Sequence, residues 1–209
     1  MTKSNEVEFI TNYVSDKELS YKKYAELSEY IIMDVEFDGN QRPYSIYAVH
    51  YKDGEPYRVF DGWAGNGTLS PIKMVCVMAH NSSKTFAQVQ EMTVEKLVTD
   101  YYIWLSAKMR EDVPIIGYDM QFDSKALGKV VQHQVSNPAY DMIRMVRKLI
   151  GTAPTLGVYR SLLVGESTSQ NQFTFNNFTT KAGELHLASY DVHLVQDIIL
   201  AYHNLVDIK

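Results

Sequence analysis

Tyr30-Ile31-Ile32-Met33-Asp34-Val35-Glu36-Phe37 is an apolar run that ends against Asp38-Gly39-Asn40. Its length and its turn-forming boundary predict a β-strand. The strand period of two then puts Asp34 and Glu36 on one face together with Ile32. Two like charges on a face that should be buried repel one another. Each also carries a desolvation penalty on the order of several kcal/mol unless it is paired or bound to a metal. A strand end emerging into solvent would carry the same two acids without that penalty, and this stretch alone leaves both readings open.

Upstream, Ser15-Asp16-Lys17-Glu18 has the Ser-x-x-Glu form of a capping box and predicts a helix over 19–29. Downstream, 44–51 predicts a second strand, Lys52-Asp53-Gly54-Glu55 a hairpin turn, and 57–60 a third strand. The stretch 61–70, rich in Gly and Asn, reads as loop, and 73–79 as a further strand. A long helix is predicted over 93–109, a short buried strand over 113–117, and helices over 122–133 and 140–150. A break at 151–157 and a polar loop at 165–172 precede a final helix over 187–206. Strands first, then strands alternating with helices, describe a mixed-sheet α/β domain. Residues 1–29 form a helical extension packed on a domain spanning 30–209 in this reading.

Two of the helices repeat the anomaly of the first strand. Asp191, Val195, Ile198 and Tyr202 are spaced i, i+4, i+7, i+11, so Asp191 begins the apolar stripe of the last helix. Asp123 opens the core-facing edge of its helix in the same way, with Leu127 and Val130. A single Asp in a first helical turn is favoured by the helix dipole and means little. Three separate elements, each delivering a carboxylate to an inner edge, point to a shared ligand. Oxygen donors without cysteine favour Mg²⁺ or Mn²⁺ over structural zinc. His186 lies five residues before Asp191, about 140° away on a continuous helix. The two converge only if His186 sits in the loop that enters the helix.

Composition bounds the partners. The 209 residues are 45% hydrophobic and 22% charged, with a formal net charge of −5. That balance excludes a chain that grips long nucleic acid by bulk electrostatics, and a nucleic acid bound here would have a short footprint. Divalent cations would bring their own positive charge to a phosphate. No apolar run approaches the roughly 20 residues of a membrane span, and residues 1–9 lack the pattern of a secretory signal. The lone Cys76 excludes an internal disulfide and suits a reducing compartment, so a cytoplasmic location is expected.

Asp34-Val35-Glu36, Ile116-Gly117-Tyr118-Asp119-Met120-Gln121-Phe122-Asp123 and His186-Leu187-Ala188-Ser189-Tyr190-Asp191 resemble, in order and spacing, the three exonuclease motifs of the DnaQ-like, DEDDh-type superfamily. The resemblance runs from about residue 30 to the C-terminus. It implies an RNase H-like fold: a central mixed sheet, three strands antiparallel and the rest parallel, flanked by helices. It implies Asp34, Glu36, Asp123 and Asp191 as ligands of two Mg²⁺ or Mn²⁺ ions and His186 as general base. The implied reaction is release of nucleoside 5′-monophosphates from the 3′ end of DNA or RNA, single-stranded or short. Phe37 and Phe122 are candidates to stack terminal bases. Asp141 resembles an Asp that starts the next helix, and it reads as a structural cap. Nothing in the sequence decides the oligomeric state, and a homodimer is compatible with it.

The departures are specific. Phe37-Asp38-Gly39 follows the first motif where the family has Thr-Thr-Gly or similar, and Tyr118-Asp119 replaces a His-Asn pair. Asp119 therefore rivals Asp123 as the second-motif carboxylate, although the Phe-Asp ending points to Asp123. The segment 63–83 has no counterpart in the family pattern. Two other classes stay open: a nucleic-acid-binding relative with weak catalysis, and an acidic interaction protein whose carboxylates are solvated.

Overall fold

Alternation along the first strand assigns the two faces of the sheet. In the computed structural model, which describes residues 18–81, 84–107, 110–131, 135–164 and 187–207, β1 runs Glu29–Phe37. Its odd-numbered Ile31, Met33 and Val35 enter one core and its even-numbered Tyr30 and Ile32 another. Antiparallel β2 (Pro43–Lys52) pairs with β1, and β3 (Glu55–Trp63) pairs with β2. Short strands β4 (Ile115–Gly117) and β5 (Ala139–Asp141) continue the sheet in parallel on the other side. The order is β3-β2-β1-β4-β5. This is the mixed sheet, three strands antiparallel and the rest parallel, that the sequence resemblance implies. The β2–β3 hairpin closes on Asp53 and Gly54, both at positive φ, as a two-residue primed turn requires.

Helices cover both faces. The odd face is buried under α4 (Val94–Ser106) and α5 (Met120–Val130), through Leu97, Val98, Tyr101, Met120 and Leu127. Thr93 caps α4 by accepting from the Lys96 amide at 3.2 Å. The even face is buried under α1 (Tyr21–Ala25), α6 (Met142–Ile150), α7 (Leu156–Val164) and α8 (Ala188–Asp207). A third apolar cluster beside the sheet joins Tyr44 and Trp63 to α2 (Pro71–Asn81) and the short α3 (Phe86–Val89). Among the described residues no helix is long and apolar enough to cross a membrane.

Several boundaries differ from the sequence reading. The strand expected over 73–79 is helix α2: its buried residues Met74, Val77 and Met78 recur at i, i+3 and i+4, a helical stripe concealed by the continuous apolar run from Met74 to Ala79. The helix expected over 19–29 is only α1, capped by Ser20, because Glu29 joins β1, where His50 and Lys52 of β2 hold its carboxylate. The capping box at 15–18 falls largely outside the described residues. The helix expected over 140–150 starts at Met142, since Tyr140 and Asp141 pair with β4 first. Helix α7 begins within the expected break, and β3 extends into the expected loop as far as Trp63.

Gly65 and Gly128 give opposite tests of this packing. A Cβ on Gly65 would sit 2.6 Å from the Val89 carbonyl oxygen and 2.8 Å from the Gln90 Cα, both backbone atoms, whereas one on Gly128, within α5, meets nothing within 4 Å. Gly65→Ala should destabilise by about 1–3 kcal/mol, and Gly128→Ala should stabilise by about 0.5–1 kcal/mol. Urea unfolding midpoints measure both.

Candidate metal centre

The site forms where the even face of β1 runs out from under its helices. The period that buries Tyr30 and Ile32 carries Asp34 and Glu36 onto the same face, towards the first turn of α8. Asp191 arrives there on that turn, because Val192, Val195 and Ile199 bury the inner stripe of α8 on the sheet. One carboxylate oxygen from each of Asp34, Glu36 and Asp191 lies within 4.8 Å of the others. Glu36 is 9% exposed.

Asp123 comes from the other layer. Met120 and Leu127 anchor α5 on the odd face, and Asp123, in its first turn, is 5% exposed. Burial pushes its carboxyl well above the ordinary range, and the charges of Asp34 and Glu36 add to the effect. Glu36 is raised for the same reason, first by burial and then by Asp34 and Asp191. Glu36 Oε1 and Asp123 Oδ2 are buried without a hydrogen-bond partner among the described residues. Orphaned carboxylate oxygens are costly in an apolar surround. Hard oxygen donors converging beside such buried carboxylate oxygens suit a divalent cation such as Mg²⁺ or Mn²⁺, and the residues fit one.

The rival Asp119 has a different environment. It precedes α5 in the left-handed conformation, φ 67°, and its main-chain N–H donates to Asp141 Oδ1 at 2.9 Å. Its carboxyl is raised by burial and by Asp141, with Arg147 opposing. Asp123 lies outside the group of three, and of the two candidates it is the one whose carboxyl feels the charges of Asp34 and Glu36. Asp141 does act as a cap, accepting from the Ile143 amide at 3.2 Å at the start of α6.

His186 lies outside the described residues. Phe37 is partly buried against the core of the odd face, whereas Phe122 is 54% exposed one residue before Asp123. Two tyrosines that the sequence does not single out from the many it holds stand near the acids. Tyr44 is buried near the acids, its hydroxyl pushed up by burial and then by Glu36 and Asp34. Tyr47 stands opposite Asp34 in the β1–β2 register. Both read as ordinary strand residues until the pairing is known.

No family model matches the sequence, and no curated protein sequence matches it. Solved structures similar to it include Exonuclease X in complex with 5′-overhanging duplex DNA, with a TM-score of 0.49 and 17% identity, covering 86% of this chain and 94% of that one. Another is the RNase domain of the yeast Pop2 protein, with a TM-score of 0.45 and 11% identity, covering 99% of this chain and 84% of that one.

Raised carboxyl groups reverse the usual pH dependence of a salt-bridged acid. Between the unfolded pKa, about 4, and the raised folded values, the folded chain binds more protons than the unfolded one. Stability of the metal-free protein from Glu36 and Asp123 is therefore present below pH 4 and falls as pH rises through their folded pKa values, by up to about 1.4 kcal/mol per group per pH unit. Urea midpoints in EDTA should fall with pH above 4, and Asp123→Asn should flatten the slope and be the more stable protein at neutral pH. A flat wild-type profile would contradict the cluster.

Proposed function

We propose that this chain is a metal-dependent 3′→5′ exonuclease that releases nucleoside 5′-monophosphates from DNA or RNA. The observation that carries the reading is the convergence of Asp34, Glu36 and Asp191 within 4.8 Å, with buried oxygens on Glu36 and Asp123 that have no hydrogen-bond partner among the described residues. The order of the three motifs supports the same reading.

Asp34, Glu36, Asp123 and Asp191 would hold the two divalent cations. Bound there, Mg²⁺ or Mn²⁺ supplies Lewis acidity that offsets the phosphodiester charge and acidifies an attacking water. The chain's own residues do the rest. The sheet end and the first turns of α5 and α8 hold the four carboxylates in place before substrate arrives, so little reorganisation is needed on binding. His186, whose ordinary pKa lies near neutrality, accepts the proton of the attacking water as the new P–O bond forms and the bond to the upstream 3′ oxygen breaks. Phe122, exposed beside Asp123, offers a ring on which a base of the incoming strand can stack.

Matched DNA and RNA oligonucleotides, labelled at either end, test the activity and its direction. Alanine at Asp34, Glu36, Asp123 or Asp191 should lower the rate by orders of magnitude, and Asp119→Ala should have a mild effect. If Asp119→Ala abolishes cleavage and Asp123→Ala does not, the second-motif assignment is wrong.

His186→Ala should lower kcat by about 10²–10⁴-fold and leave Mn²⁺ affinity nearly unchanged by calorimetry. The wild-type rate should rise with pH through the histidine range, and the mutant should lose that limb. An unaltered pH profile would remove His186 from the mechanism.

A further inference from the structure

Cations are the scarcer charge in this chain, 20 Lys and Arg against 25 Asp and Glu. Several are matched by an acid. Lys96, Lys148 and Arg160 each sit on a carboxylate, at 2.6, 3.2 and 2.9 Å. Closer to the carboxylate cluster, Arg42 is held by Asp38 at 2.7 Å, and Arg147 opposes the charge of Asp119. Helix α5 differs. It buries Asp123, within reach of the charges of Asp34 and Glu36, and exposes Gln121, Phe122, Lys125 and Lys129. At about 100° per residue these four fall within one arc about 100° wide, opposite Asp123 and Leu127. Among the described residues neither lysine is paired with a carboxylate. The Lys129 ammonium donates instead to the neutral side-chain oxygen of Gln41, in the turn between β1 and β2. The row thus starts beside the acids and ends at the turn that follows Glu36.

We propose that Lys125 and Lys129 carry upstream phosphates of a single strand whose 3′ end lies on the carboxylates, so that α5 is the track of the substrate backbone. This rests on the exonuclease reading above. A rise of about 1.5 Å per residue sets the two lysines about 6 Å apart along the helix axis, close to the separation of neighbouring phosphates in an extended strand. Lysine presents a compact point charge on a flexible stem, which follows a backbone without reading its bases. The track is therefore indifferent to sequence. Gln41 holds the Lys129 head through a neutral oxygen, so an arriving phosphate displaces no acid. One short row of cations suits one strand rather than the two backbones of a duplex, and it keeps the footprint short.

The test uses the full chain, a single-stranded octanucleotide, and a dinucleotide whose only phosphate is the scissile one. Anisotropy of the labelled octanucleotide is read with Ca²⁺ across a salt series, and cleavage of both substrates with Mn²⁺. Lys125→Gln and Lys129→Gln change exposed positions of a helix that glutamine suits equally, so both variants keep the fold. Each should weaken octanucleotide binding on the order of fivefold at 0.1 M salt and lower the slope of log affinity on log salt by about 0.7. Each should raise KM for the octanucleotide by a similar factor and leave kcat and dinucleotide cleavage unchanged. Lys22→Gln removes the same charge from α1, on the other face of the sheet, and should change nothing. An unaltered salt slope, an equal loss on the dinucleotide, or the same loss in Lys22→Gln overturns the track. A wild type that binds the octanucleotide through both lysines yet releases nothing from any 3′ end keeps the track and overturns the exonuclease reading instead.

Discussion

The mutual repulsion of desolvated carboxylates at the end of β1 is the constraint around which the rest of the structure is arranged. Glu36 and Asp123 are buried, each with an oxygen that no group among the described residues satisfies. Such an arrangement costs stability and persists only where the surrounding packing over-determines it. Two apolar cores do that here, one on each face of the sheet. The first holds α5, and hence Asp123, through Met120 and Leu127. The second holds α8, and hence Asp191, through Val192, Val195 and Ile199.

The two ends of β1 treat acid in opposite ways. At its start, Glu29 accepts from His50 Nε2 at 2.9 Å and lies 3.2 Å from Lys52 and 3.1 Å from Arg110. Burial works to raise its carboxyl, yet the hydrogen bonds from Lys52 and His50 prevail and hold it below the ordinary range. Five and seven residues later the same strand carries Asp34 and Glu36, and there Glu36 is raised. An acid matched by cations stabilises the fold, whereas an acid pressed against other acids costs stability.

The third cluster gives the segment after β3 a structural purpose. Met74, Val77 and Met78 of α2 pack on Trp63 and Tyr44, and Leu187, at the entrance to α8, packs against the same group. Tyr44 in turn lies close enough to Glu36 and Asp34 to feel their charge. A segment with no counterpart in the family pattern thus buttresses both the floor of the carboxylate site and the chain leading into Asp191.

The sequence by itself determined the alternation of β1, the hairpin at Asp53-Gly54, the long helices α4 and α8, and acids on the inward edges of three separate elements. Each follows from local periodicity or turn chemistry, which act over a few residues. The convergence of those acids was an inference from their shared anomaly, since it needs strand order, register and helix docking across more than 150 residues. Only the tertiary structure decided that 73–79 is a helix, because a continuous apolar run has no readable period until its neighbours define which side is buried. The Phe-Asp ending already favoured Asp123 over Asp119, and the structure adds that Asp123 is buried and feels the charges of Asp34 and Glu36, whereas Asp119 is half-buried near Arg147. The place of Tyr47 opposite Asp34 follows the same logic: strand register is a property of the fold, fixed by burial of one whole face against another.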